Sequence, residues 1–130
     1  MENSGEPVAI IGTGCRFPGD STTPSKFWKL LREPYDLLKP LGKGFESESW
    51  YHKSAKHHGR FNVKHSYQLD GENAHSYFDA PFFGISAVEA NTTDPQIRLL
   101  LETVYEALEA AGQSIEGLRG SDTAVYTGVS

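Results

Sequence analysis

Asp94-Pro95-Gln96-Ile97-Arg98-Leu99-Leu100-Leu101-Glu102-Thr103-Val104-Tyr105-Glu106-Ala107-Leu108-Glu109-Ala110-Ala111-Gly112 is a helix with both of its ends written into it. Asp94 supplies an N-cap oxygen, Pro95 takes the first helical position where a missing N–H costs nothing, and Gly112 is the terminator. Between them Ile97, Leu101, Val104, Leu108 and Ala111 recur at spacings of 4, 3, 4 and 3, and Leu100 and Ala107 widen the stripe. Glu102, Glu106 and Glu109 lie off it. About 17 residues make a rod of ~25 Å. So wide an apolar face calls for a sheet to cover it.

Outward from the helix, Thr123-Ala124-Val125-Tyr126-Thr127-Gly128-Val129 reads as a strand that follows it. Near the other end, Val8-Ala9-Ile10-Ile11 is a continuous apolar run closed by Gly12. Without alternation it reads as a strand covered on both faces, the parallel-sheet kind. Thr23-Pro24 predicts the N-cap and first turn of a short helix bearing Phe27, Trp28 and Leu31 on one face, stopped near Arg32 by Pro34. From Pro34 to about Ser76 no clean period survives, and Phe61-Asn62-Val63 and Ser66-Tyr67-Gln68-Leu69 are weak candidate strands. Such a stretch is a functional excursion or a surface that packs against a partner. Tyr77, Phe78, Phe82 and Phe83, four aromatics in seven residues, should anchor it to the core. A short helical turn is expected at Ser86 to Ala90. Strand, helix, excursion, helix and strand make one right-handed crossover unit of an α/β layer fold. Two strands are a poor sheet, so the expectation is a piece of a larger layer, cut off after its second core strand.

Composition narrows the functional classes. The 130 residues are 38% hydrophobic, 12% aromatic and 22% charged, which suits one domain. A formal charge of -5 argues against partnership with nucleic acid or an anionic membrane. No apolar run approaches the ~20 residues of a membrane span. Met1 to Glu6 have neither the basic start nor the apolar segment of a secretory signal. A single cysteine, Cys15, excludes an internal disulfide and suits a reducing, cytoplasmic setting.

The motifs that might carry chemistry fall away one by one. Gly12-Thr13-Gly14-Cys15-Arg16-Phe17 resembles half of a GxGxxG loop, but Phe17 replaces the third glycine and Pro18-Gly19 makes a turn where a helix should begin. Cys15 has Arg16 beside it, yet no helix opens there to lower a thiol pKa, and a small core residue is the plainer role. His52, His57, His58, His65 and His75 show no helical i, i+4 pairing and no accompanying cysteine, so solvated loop histidines are expected rather than a metal site. Asn91-Thr92-Thr93 is a formal glycosylation sequon without a signal peptide to expose it. No catalytic, cofactor-binding or metal-binding residue is assigned.

Taken together, several stretches resemble a known family. Val8-Ala9-Ile10-Ile11-Gly12 with Cys15-Arg16-Phe17-Pro18-Gly19, then Phe78-Asp79-Ala80-Pro81-Phe82-Phe83-Gly84-Ile85-Ser86, look like the N-terminal part of a β-ketoacyl synthase domain. Asp94-Pro95-Gln96, Arg98 to Glu102, Tyr105 to Gly112, Gly120 to Thr123 and Val125 to Gly128 extend the match from about Glu6 to Ser130. Ser66-Tyr67 and Tyr105 bring the wording closest to the iterative, highly reducing polyketide synthases of filamentous fungi. Residues 1-130 are accordingly read as one partial condensing domain.

The resemblance implies a thiolase-like αβαβα fold, a tight homodimer, acyl carrier protein as partner and no cofactor. It also implies decarboxylative Claisen condensation by a nucleophilic Cys and two His. In the family these lie in Cys-Ser-Ser, His-Gly-Thr and Asn-Ile-Gly-His contexts, none of which occurs here, and Cys15 matches the family's early, non-nucleophilic cysteine. The chain alone is therefore expected to be non-catalytic. Ala87-Val88, Thr92-Thr93, Ile97 and Gln68 depart from the usual family residues. An alternative of another class stays open: a small non-enzymatic module whose exposed half-core docks a partner. In either case the stripe from Ile97 to Ala111 should be incompletely covered.

Overall fold

The structure, a computed structural model, describes residues 6–41, 50–70 and 77–128. Its elements in chain order are α1 (Pro24–Arg32), β1 (Leu38–Pro40), β2 (His65–Tyr67), α2 (Ala87–Thr92), α3 (Pro95–Ala110) and α4 (Ile115–Leu118). Helices form where capping chemistry sits in the sequence. Thr23 accepts from the Lys26 N–H at the start of α1, Ser86 from Glu89 at α2, and Asp94 from Gln96 at α3. At the far end of α3, Ala111 is the C-cap, and Gly112 turns the chain away at φ 66°. The turn expected at Ser86 to Ala90 is α2. Thr92 and Thr93 close it by donating their hydroxyls to the Glu89 carbonyl at 2.9 and 2.8 Å, a local use for a pair that departs from the family pattern. Helix α4, with Ser114 capping Gly117, had no apolar period to announce it.

The chain gathers into two compact units, residues 17–72 and residues 1–16 with 73–130. Within the first, β1 and β2 pair antiparallel in the register Leu38↔Tyr67, Lys39↔Ser66 and Pro40↔His65. Pro40 sits at the end of its strand, where its missing N–H is tolerated. Lys39 and Asp70 form an ion pair beside the ladder. The Gln68 amide donates to the Pro40 carbonyl at 3.4 Å, which gives this departure from the family a role. Phe17 stacks on Phe27 of α1 at 4.5 Å, and Gly19, at φ 71°, leaves room for Leu37, whose side chain lies 2.7 Å from where a Cβ would stand. Of the two weak candidate strands, Ser66-Leu69 overlaps β2, whereas Phe61 makes only an isolated bridge to Tyr51.

Two expectations are corrected. Neither Val8–Ile11 nor residues 123–128 belong to a ladder; Val8 and Tyr126 are each 93% exposed. A parallel strand exists only with neighbours on its edges, and among the described residues none flanks these segments. The sheet comes instead from inside the stretch that looked structureless. Among the described residues Ala80 and Ala90 are the buried hydrophobic ones, and Ile97, Leu100 and Val104 on the α3 stripe stand exposed. No helix among the described residues is long and apolar enough to cross a membrane.

Candidate functional site

The second unit is organised by a contact between the Gly12–Arg16 segment and α3. A Cβ built on Gly12 would lie 2.1 Å from the Ala107 carbonyl oxygen and 2.8 Å from the Ala111 Cβ. One on Gly14 would lie 2.5 Å from the Thr103 carbonyl oxygen. Thr103, Ala107 and Ala111 are spaced by four, so small side chains line one ridge of the helix. The two glycines therefore serve close backbone approach, the bland alternative to phosphate binding.

Arg16 closes the contact. Its guanidinium grips Glu106 with both terminal nitrogens, Nη1 donating to Oε2 at 2.7 Å and Nη2 to Oε1, and Nη1 also donates to the Cys15 carbonyl at 3.0 Å. The Arg16 and Glu106 side chains are 21% and 42% exposed. The hydrogen bond from Arg16 holds the Glu106 carboxyl below the usual carboxylate range, and the same bond raises Arg16. The pair is therefore complete at neutral pH and at all pH above the ordinary glutamate value of 4.5, and is lost as pH falls through the depressed folded-state value. We predict that Arg16→Ala weakens the contact by about 1 kcal/mol, the solvent on the Glu106 side limiting the loss. Amide hydrogen exchange in α3 at pH 7 should speed up accordingly. Acidification should slow-release the same protection in the natural chain but not in Glu106→Gln; identical acid profiles would refute the assignment.

Beside this pair is a cleft of about 300 Å³ lined by Arg16, Asp79, Phe82, Phe83, Glu102 and Tyr105 among others. Asp79 shapes its wall by accepting from the Phe82 N–H at 3.1 Å. Phe82 meets Tyr105 edge-on at 4.7 Å, and Phe78 stacks on Phe83 at 5.1 Å. Phe82 and Phe83 thus pack on α3, whereas Tyr77, counted with them in the expected anchor, is exposed. Burial against these rings, reinforced by the Glu109 carboxylate, raises the Tyr105 phenol above its ordinary value.

The remaining sequence candidates are dispersed. Cys15 is half-buried in the Gly12–Arg16 segment. His52 and His57 touch with ring centres 3.5 Å apart, His58 and His65 are exposed, and His75 lies outside the described residues. Among the described residues no three His, Cys, Asp or Glu side chains are placed to hold a metal ion. Asn91 is exposed at the end of α2. The Arg16–Glu106 grip escaped sequence reasoning, because its partners are 90 residues apart and Glu106 read only as part of a solvated helix face. What the arrangement does chemically is position a backbone segment.

Comparison with known proteins agrees with that geometry. The profile of the β-ketoacyl synthase N-terminal domain matches residues 5–130. The chain is 60% identical to a polyketide synthase-nonribosomal peptide synthetase of Aspergillus clavatus, over 99% of this chain and 3% of that protein. It is 56% identical to the highly reducing polyketide synthase sthA of Phaeosphaeria nodorum, over 95% of this chain and 4% of that protein. The Streptomyces albus oxazolomycin ketosynthase domain OzmH KS7 superposes with a TM-score of 0.72 at 32% identity, over 85% of this chain and 19% of that one. The chain thus spans only 3 to 4% of the length of the curated relatives it matches. The fold is that of the N-terminal part of a thiolase-like ketosynthase, and the fungal matches bear out the resemblance to reducing polyketide synthases. With a segment of two glycines and an arginine seated on α3, and matches of this extent, the chain belongs to the β-ketoacyl synthase family through that family's N-terminal domain.

Proposed function

We propose that this chain supplies a non-catalytic layer of a polyketide synthase condensing domain. In that domain a Cys thiolate accepts an acyl group from a carrier protein, and a malonyl thioester loses CO2. The resulting enolate then attacks the acyl carbonyl, forming a carbon–carbon bond as the thiolate leaves. The observation that carries the reading is the place of Cys15, the single cysteine of the sequence. Its carbonyl accepts from Arg16, which Glu106 in turn holds against α3, so the cysteine stands at a structural station. The sequence also lacks the His-Gly-Thr and Asn-Ile-Gly-His contexts of the family's histidines. Acyl carrier protein and a second condensing subunit are the partners this reading assigns, in the cytoplasm and without a cofactor.

Incubating the purified chain with acyl and malonyl carrier-protein thioesters, followed by intact-mass spectrometry, tests it. The expected spectrum holds neither an acyl-protein species nor a condensation product. A stoichiometric acyl adduct that disappears in Cys15→Ser would overturn the proposal.

A further inference from the structure

In a chain of formal charge -5, the segment from Trp50 to His65 runs the other way: it contains Lys53, Lys56, Arg60 and Lys64 and no Asp or Glu. Glu46 and Glu48 precede it and lie outside the described residues. Elsewhere Arg16 pairs with Glu106, Lys26 with Asp20 and Lys39 with Asp70, and the other described cations, Lys29 and Arg32 on α1, Arg98 on α3 and Arg119 after α4, are spread over separate helices rather than gathered in one loop. Lys53, Lys56 and Arg60 are exposed, and none of them pairs with an acid among the described residues.

The loop that carries them is held in shape from within. The His52 N–H donates to the Phe61 carbonyl and the Phe61 N–H to the Trp50 carbonyl, both at 2.9 Å, closing the neck of the loop. Inside it, the Ser54 N–H donates to His52 Nδ1 at 3.0 Å, and the His52 and His57 rings touch at a tilt of 41°. Gly59 turns the chain at φ 74°, and the Lys64 ammonium sits 4.5 Å over the Tyr51 ring. Trp50, 57% exposed, offers an aromatic anchor at the neck. Unpaired cations on a pre-shaped loop lose little freedom on meeting an anion.

From this we infer that the Trp50–His65 loop is a docking surface for a carboxylate-rich face of a partner protein. The charge distribution selects this occupant. Duplex DNA presents a phosphate about every 1.7 Å along its axis, and an anionic membrane is a charged plane. Either would extend past the loop onto an acidic chain, whereas a compact carboxylate face matches the loop alone. Three lysines to one arginine suit steering by point charges rather than the bidentate grip that phosphate recognition favours. The inference does not depend on the condensing chemistry.

Fluorescence anisotropy with fluorescein-labelled poly-L-glutamate as the carboxylate probe tests the surface at rising salt. The natural chain should bind, and affinity should fall about tenfold or more between 50 and 200 mM salt. Lys53→Glu/Lys56→Glu/Arg60→Glu, all exposed positions, should lose at least about tenfold in affinity with an unchanged far-UV spectrum. Lys29→Glu/Arg32→Glu on α1 should stay within about twofold. Absence of binding by the natural chain at low salt, or equal affinity of the triple variant, would overturn the inference. So would tighter binding, through the same residues, of a single-stranded DNA oligonucleotide or of phosphatidylserine vesicles; those outcomes would assign the loop to nucleic acid or to membrane.

Discussion

Heated as a freshly purified monomer, this chain should lose its near-UV dichroism gradually, show no sharp calorimetric peak, and bind an apolar dye before heating begins. The cause is the inventory of what is covered. Among the described residues Ala80 and Ala90 are the buried hydrophobic ones, whereas Val8, Ile10, Ile11, Val125, Tyr126 and the α3 residues Ile97, Leu100 and Val104 are exposed. Burying one large apolar side chain is worth ~1.5–3 kcal/mol, and an ordinary domain has only ~5–15 kcal/mol in hand against chain entropy. A handful of uncovered side chains therefore consumes the margin. Helix survives where caps hold it, so far-UV signal should persist while tertiary packing is loose. A sharp cooperative transition from a monomer that binds no dye would sink this expectation and would favour an independently folding module.

Gly12→Ala should unseat the first segment from α3. Its new methyl carbon would stand 2.1 Å from the Ala107 carbonyl oxygen; the one is fixed by the backbone that bears it and the other belongs to backbone, so neither has a rotamer to yield. The segment has to lift, and Arg16 then loses its geometry on Glu106. Limited trypsin digestion after Arg16 reads this directly. The cleavage rate should rise about tenfold or more, because proteolysis follows the population of the open form. Gly14→Ala should behave alike, with the Thr103 oxygen at 2.5 Å, while Gly128→Ala, with nothing within 4 Å, should match the natural chain. Equal cleavage rates for Gly12→Ala and Gly128→Ala would refute the close seat.

Local chemistry was legible and distant chemistry was not. Thr23-Pro24, Ser86 and Asp94-Pro95 announce helix starts because a cap acts within three residues, and Gly112 announces an end for the same reason. The strands expected at Val8–Ile11 and Thr123–Val129 were read from composition, which records what a segment would do beside a sheet and not whether neighbours flank it. Conversely β1 and β2 are three residues each, too short for any alternation to register. The site divides the same way. Gly12 and Gly14 stood out at once, but their purpose depends on Thr103 and Ala107, and Arg16 needs Glu106 from the far end of the chain. Only the fold brings those pairs together.

The seat of Gly12 and Gly14 also acts as a vernier. Two residues of extended chain advance about 6.6 Å, and four residues of helix rise about 6 Å, so the two glycines meet Ala107 and Thr103 in step, in opposite chain directions. Slide the segment by one residue and Ile11 or Thr13 would put a side chain where a carbonyl oxygen already stands. A stretch without ladder hydrogen bonds is thereby indexed to a single position along the helix, by exclusion rather than by attraction. Such an index is indifferent to salt and to pH, so the segment's alignment outlasts the Arg16–Glu106 grip that fastens it.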